Sequence, residues 1–251
     1  MSKLKNKVAI ITGASKGIGA SIAKYFAAEG AKVVVNYASS KEDADKVVKA
    51  IKDNGGTAIA VQGDVSNESD VTRLFEETKN AFGTLDILVN NAGIYQYAPI
   101  EELSAQSFHS QFNINVLGSL LSIQAALKLF GEKGGNIINI SSEAGKSPLP
   151  TGSVYSATKA ALDAITISLS KEFIGRNIRI NSILPGIVET EGSHSAGFIG
   201  SEAETKFVAS TPLGRTGQPE DIAKVAVFLA SDDSGWITGE KISVSGGIFG
   251  L

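Results

Sequence analysis

Seven short runs of β-branched and aliphatic residues alternate with amphipathic, helix-length segments along the chain, and this alternation limits the possible folds more than any single motif does. The runs are Val8–Thr12, Lys32–Asn36, Thr57–Val61, Leu85–Asn90, Asn136–Ile140, Ile178–Leu184 and Lys241–Val244. Between them lie Gly17–Glu29, Lys41–Asn54, Glu68–Phe82, a long segment near Gln106–Phe130, Val154–Ile174 and Pro219–Ala230. Strict strand–helix alternation predicts an α/β fold with a parallel sheet covered by helices on both faces. Val33-Val34-Val35 and Ile137-Ile138 are apolar at successive positions, as expected of strands buried on both sides. With no linker, low-complexity tract or short repeat, residues 1–251 form a single predicted domain. The stretch from Gly186 to Arg215 breaks the rhythm. It is rich in Gly, Ser, Thr and Glu with a weak helical patch at Ala203–Ala209, and predicts a substrate lid at about 186–211.

Composition removes several function classes. A formal net charge of −3 and the lack of a basic run argue against nucleic-acid binding. There is no cysteine, which excludes disulfides and thiolate metal sites. His109 and His194 lie in different segments, so no metal site is predicted. The basic start Met1–Lys7 leads into a short apolar run that glycines break, unlike a signal peptide. No apolar stretch approaches membrane-spanning length, and the expected setting is the cytoplasm.

Two motifs carry chemistry. The first strand runs into Thr12-Gly13-Ala14-Ser15-Lys16-Gly17-Ile18-Gly19, just before a helix. Glycines let backbone approach a pyrophosphate, and the helix N-terminus offers free N–H groups and a positive dipole end. Further on, Tyr155 and Lys159 stand one helical turn apart and share a face. A tyrosine of ordinary pKa near 10 is a poor acid at neutral pH, and a neighbouring ammonium favours its ionised form. Alone, such a pair is usually a packed ring beside a solvated charge. Here it accompanies a nucleotide-type turn, which points to proton transfer.

Gly13, Gly17 and Gly19, then Asn90-Asn91-Ala92-Gly93, Asn115, Ser142, Tyr155 with Lys159, and Pro185-Gly186 together resemble the classical short-chain dehydrogenase/reductase family over nearly the whole chain. Within it the chain looks most like the 3-oxoacyl-carrier-protein reductase and glucose 1-dehydrogenase branch. The resemblance implies a doubly wound Rossmann fold with strand order 3-2-1-4-5-6-7. It implies Tyr155 as general acid in ketone reduction, Lys159 lowering the tyrosine pKa and holding the nicotinamide ribose, and Ser142 bonding the substrate oxygen. Asn115 would mark a helix break that anchors a water. Asn91, Ala92 and Gly93 would back the adenine ribose, while Asp64, with Val65 beside it, would meet the adenine edge. Pro185, Gly186, Ile187 and Thr190 would flank the nicotinamide, and Ser15 and Ile18 belong to the phosphate turn. A homotetramer pairing through the two long helices is also implied.

An NAD-selective site carries an acid at the end of strand two. Here that junction reads Val35-Asn36-Tyr37-Ala38-Ser39-Ser40-Lys41, with Lys16 available as counter-charge. NADP(H) is therefore expected over NAD(H), with Asn36, Ser39 and Lys16 near the 2′-position. Tyr95, Tyr97, Ser142, Glu143 and Phe198 are expected to line the substrate pocket. Lys128, Lys133 and Arg176 make a thin basic patch for an acidic carrier, interrupted by Glu132. The expected activity is NADPH-dependent reduction of a carbonyl to a secondary alcohol, 3-oxoacyl-like or broad. Sugar oxidation of the glucose 1-dehydrogenase kind and a non-catalytic NADP sensor are the alternatives.

Overall fold

The structure is a computed structural model that describes residues 2–248. Its seven strands are β1 (Val8–Ile11), β2 (Lys32–Tyr37), β3 (Thr57–Gln62), β4 (Ile87–Asn90), β5 (Gly135–Ile140), β6 (Ile178–Pro185) and β7 (Lys241–Val244). They form one sheet in the order β3-β2-β1-β4-β5-β6-β7, and every pairing is parallel. The expected order is the observed one.

Side-chain alternation along each strand feeds two separate cores. On one face Ala9, Ile11, Val33, Val35 and Ile138 pack against α1 (Gly17–Ala28), α2 (Lys41–Asp53) and α9 (Pro219–Ala230), with Phe26 and Leu229 fully buried. On the other, Val8, Ile10, Val34, Leu88 and Ile137 meet α3 (Glu68–Phe82) and α5 (Gly118–Leu129) through Leu74, Phe75 and Ile123. Burying each such side chain stabilises the fold by about 1.5–3 kcal/mol. These cores fix the strand ends, and the functional loops emerge from the C-terminal edge of the sheet. The chain reverses winding direction between β1 and β4, where open α/β sheets leave a crevice for ligands.

The long helical segment expected near 106–130, with its break at Asn115, comprises α4 (Ala105–Phe112), a π-helical turn at Asn113–Leu117, and α5. The extra residue in the π turn swings Asn115 inward, where it is 1% exposed. Within the 25-residue helical path from Ala105 to Leu129, the most apolar 18-residue window has a mean hydropathy of 1.2, a value that packed core helices also reach. In this fold the path packs against α3, α6 (Ser153–Glu172) and β4. The expected lid carries two short helices, α7 (Glu191–Ser195) and α8 (Glu202–Ser210), the second overlapping the predicted patch.

Candidate active site

The turn after β1 is built around close backbone approach. Gly13 adopts a left-handed φ of 59°, and a Cβ there would lie 2.8 Å from Ala92 Cα. A Cβ at Gly19 would collide with Asn91 Nδ2 and sit 2.7 Å from the Gly13 carbonyl. The Asn91 amide donates to the carbonyls of Thr12 and Gly13, both at 2.9 Å, and thereby ties β4 to the turn. The N-cap residue of α1, Lys16, makes no side-chain cap and the first turn holds no acid of its own, so the positive dipole end of the helix faces the cleft. The cleft encloses about 400 Å³ and is lined by Gly13, Ser15, Lys16, Gly17, Ile18, Asn36, Ser39, Asp64, Val65, Asn91, Ala92, Gly93 and Thr190. Glycines at which a Cβ would clash, set at a helix N-terminus, make a cradle that fits a dinucleotide pyrophosphate.

Three expected contacts differ in detail. The Asn36 side chain points inward at 1% exposure. Its Oδ1 accepts from Gly13 N at 3.2 Å, and its Nδ2 donates to the Val61 and Gly63 carbonyls at 3.3 and 3.0 Å. With both amide hydrogens engaged, it supports the turn from behind and has no side-chain donor left for a ribose. Lys16 lies at the cleft but pairs with Asp43 at 2.9 Å, and Asp43 also takes Lys46. Asp64 lines the cleft, and its Oδ1 accepts from Ser66 N at 2.9 Å and Ser66 Oγ at 2.7 Å.

A second cavity, about 420 Å³, adjoins the first. Ser142, Tyr155 and Lys159 line it together with Tyr95, Tyr97, Glu143, Pro185, Gly186, Ile187 and Phe198. Ser142 caps the turn after β5 by accepting from Ala144 N at 3.1 Å, and its hydroxyl hydrogen-bonds the Tyr155 phenol. Lys159 extends under the tyrosine, with Nζ 5.7 Å from the ring centroid, and donates to the Ile140 carbonyl at 2.8 Å. Asn115 Oδ1 accepts from Ile94 N at 2.8 Å, and its Nδ2 donates to the Ile94 carbonyl at 2.8 Å and to Thr158 Oγ1 at 3.0 Å. The π turn thus clamps the strand-four loop onto α6.

Electrostatics correct one expectation. The Tyr155 pKa is not lowered in this structure. Burial pushes it up to about 12, the Ser142 hydrogen bond works against that, and Tyr97 and Tyr95 add to the rise. Burial pushes Lys159 down to about 8, with Asp163 opposing. The lysine's ammonium is turned to the Ile140 carbonyl, so desolvation of the phenol outweighs its attraction.

Tyr95, Tyr97 and Tyr155 form an aromatic cluster with centroids 5.9–6.1 Å apart. Phe198 meets Phe207 edge-on at 6.3 Å, and both rings line the cavity. His194, on the lid, pairs with Glu189 at 3.0 Å. Two carboxylates were not legible as site groups. Asp163, one turn beyond Lys159, is buried and held by Ser141 and Ser182. Glu191 reaches from the lid to accept from Gly17 N at 3.0 Å, at the N-terminal end of α1. The Lys159 + 4 spacing hints at the first contact, whereas the second depends on how the lid folds back.

Residues 13–248 match the family described as Enoyl-(Acyl carrier protein) reductase. An uncharacterized oxidoreductase of Methylorubrum extorquens is 57% identical, covering 99% of this chain and 100% of that protein. A 3-oxoacyl-[acyl-carrier-protein] reductase of Synechocystis is 40% identical over 99% of each. Among solved structures, the angucycline C-6 ketoreductase LanV with bound NADP superposes with a TM-score of 0.93 at 35% identity, covering 99% of this chain and 98% of that one. The glycine cradle, the Ser142–Tyr155–Lys159 cluster and these full-length likenesses establish that the chain belongs to the classical short-chain dehydrogenase/reductase family of NAD(P)-dependent oxidoreductases.

Proposed function

We propose that the protein reduces a ketone to a secondary alcohol with NADPH, and that Tyr155 is the general acid. The observation that carries this reading is the convergence of Ser142, Tyr155 and Lys159 on one cavity that adjoins the glycine cradle. When bound in the cradle, the reduced dinucleotide supplies the hydride. Ser142 donates to the substrate oxygen as negative charge develops there, and stabilises it in the manner of an oxyanion hole. Tyr155 gives its proton to that oxygen. Lys159, a buried cation below the ring, favours the tyrosinate left behind. With its pKa near 12, Tyr155 holds its proton at neutral pH, which is the form reduction requires. Pro185, Gly186, Ile187 and Thr190 shape the far wall, and lid closure through Phe198 and Phe207 excludes water.

NADP(H) is favoured over NAD(H) because no acid stands at Asn36, Tyr37 or Ala38, while Lys16 and Ser39 line the cleft. The ketoreductase LanV, similar over the full length, holds NADP. A free ketone is favoured over a carrier-bound acyl group. Arg176 stacks over Phe173 at 5.5 Å, and Glu132 interrupts the basic patch that a carrier would need. The assembly is read as a homotetramer working in the cytoplasm. Phe108, Leu117 and Leu120 are exposed along the α4–α5 path, and Trp236 is fully exposed, so apolar faces await a partner. Light scattering at micromolar concentration tests this, and a monomer contradicts it.

The activity test is a panel of ketones, aldehydes and diketones followed at the NADPH absorbance band in both directions, with NADH in parallel. Ketone-dependent NADPH oxidation supports the reading. Turnover only with sugars in the oxidative direction favours the glucose 1-dehydrogenase-like alternative.

A further inference from the structure

Glu143 is an unusual neighbour for a catalytic serine. It opens the turn Glu143–Gly145 directly after Ser142 and is 1% exposed. Neither of its carboxylate oxygens has a hydrogen-bond partner. Its backbone carbonyl, by contrast, is well used, accepting from Lys146 N at 3.0 Å and Ser147 N at 2.7 Å. The turn is therefore anchored without the side chain. Removing a carboxyl group from water without replacing its hydrogen bonds is costly, and folds keep such groups where a ligand completes them. Glu143 lines the same cavity as Ser142 and Tyr155, whose other walls are the rings of Tyr95, Tyr97 and Phe198 and the side chain of Leu149.

We propose that Glu143 is a specificity-determining residue that accepts a hydrogen bond from a hydroxyl group of the substrate close to the reacting carbonyl, so that the preferred substrates are hydroxyketones. The inference rests on the carbonyl-reductase reading. A carboxylate accepts and does not donate, so its partner must be a donor. The Lys159 ammonium in the same cavity disfavours a cationic donor, and a neutral hydroxyl costs less to desolvate among the rings. A plain ketone leaves the carboxylate buried and unpaired. Sites built around a buried polar group discriminate strongly against ligands that lack its partner. A ketone bearing its own carboxylate is repelled.

The test compares wild type with Glu143→Gln and Glu143→Leu on matched probes, 2-butanone and 3-hydroxy-2-butanone, with 3-amino-2-butanone as the cationic arm. Wild type is expected to favour the hydroxyketone in kcat/KM by about 10- to 100-fold, and in Glu143→Leu the ratio should fall to near one. A wild-type ratio near one, or a preference for the aminoketone, overturns the assignment. Two readouts are independent of turnover. Without ligand, Glu143→Leu should melt above wild type, because an unpaired polar group is removed. Calorimetry should show 2,3-butanediol binding to the NADP-loaded wild type and not to that variant. A variant that melts below wild type, or that binds the diol equally well, also overturns it. If no ketone is reduced while these two arms hold, the failure lies in the reductase reading and not in the role of Glu143.

Discussion

Replacing Lys159 by Met should make the protein more stable at neutral pH while disabling it. The lysine pKa falls from its ordinary 10.5 to about 8 because the ammonium is buried. At ~1.4 kcal/mol per pH unit, holding that charge inside costs the fold about 3 kcal/mol at pH 7. The bond to the Ile140 carbonyl, 2.8 Å, is lost in the variant and returns about 1–2 kcal/mol of this. A net gain of about 1–2 kcal/mol remains. The pH dependence is more diagnostic than the net value. Below pH 8 the folded and unfolded lysines are both protonated and the penalty is complete. Between pH 8 and 10.5 the unfolded lysine keeps its proton while the folded one loses it, so wild-type stability rises with pH. Tyr155 acts oppositely, since stability is lost from pH 10 towards 12, and measurements up to pH 10 largely avoid it. Urea unfolding followed by circular dichroism at pH 7, 8.5 and 10 gives the difference between the two proteins. The variant should lead at pH 7 and fall about 1 kcal/mol behind wild type by pH 10, because wild type gains ~1.4 kcal/mol per pH unit above its folded lysine pKa. Parallel pH profiles would show that Lys159 does not carry a buried charge and would refute the reasoning.

Other expectations follow from single contacts. Asn36→Asp sets a carboxylate against the Val61 and Gly63 carbonyls that the amide now serves. It should cost roughly 2–4 kcal/mol and depress Tm by roughly 5–15 °C. A stable variant with NADH preference would show that the side chain faces the ribose after all. Glu191→Gln removes a carboxylate from Gly17 N, where an incoming pyrophosphate would compete with it. NADPH should then bind a few-fold more tightly, from about 0.3–1 kcal/mol of relieved competition at the helix end, and weaker binding by fluorescence titration contradicts this. Hydrogen exchange across residues 186–211 should slow on adding NADP more than in the buried strands. Unchanged exchange leaves the segment a passive loop.

The sheet was legible because its central strands are apolar on both faces. Val33 and Val35 serve one core and Val34 the other. The glycine turn and the Tyr155–Lys159 pair were legible because their spacing survives folding. The break at Asn115 was implied by the family resemblance, but its π-helical form was hidden, since one extra residue hardly disturbs a helical pattern of apolar positions. The inward turn of Asn36 was hidden because strand residues alternate faces, and only the register against β3 decides which face carries the amide. The direction of the Tyr155 shift was misread because a sequence shows the neighbouring lysine and not the depth of burial. The unpartnered state of Glu143 is likewise a property of packing.

Tyr155→Phe tests the central claim most directly. The substitution removes the phenolic proton while keeping the ring that packs against Tyr95 and Tyr97. Ketone reduction should fall about 10²- to 10⁴-fold in kcat, the usual worth of a general acid. The affinity for NADPH, measured by fluorescence titration, should stay near that of wild type. A variant that kept more than about half of the wild-type kcat on a good ketone, against the ~10²-fold minimum loss expected, would remove Tyr155 from the proton-transfer step.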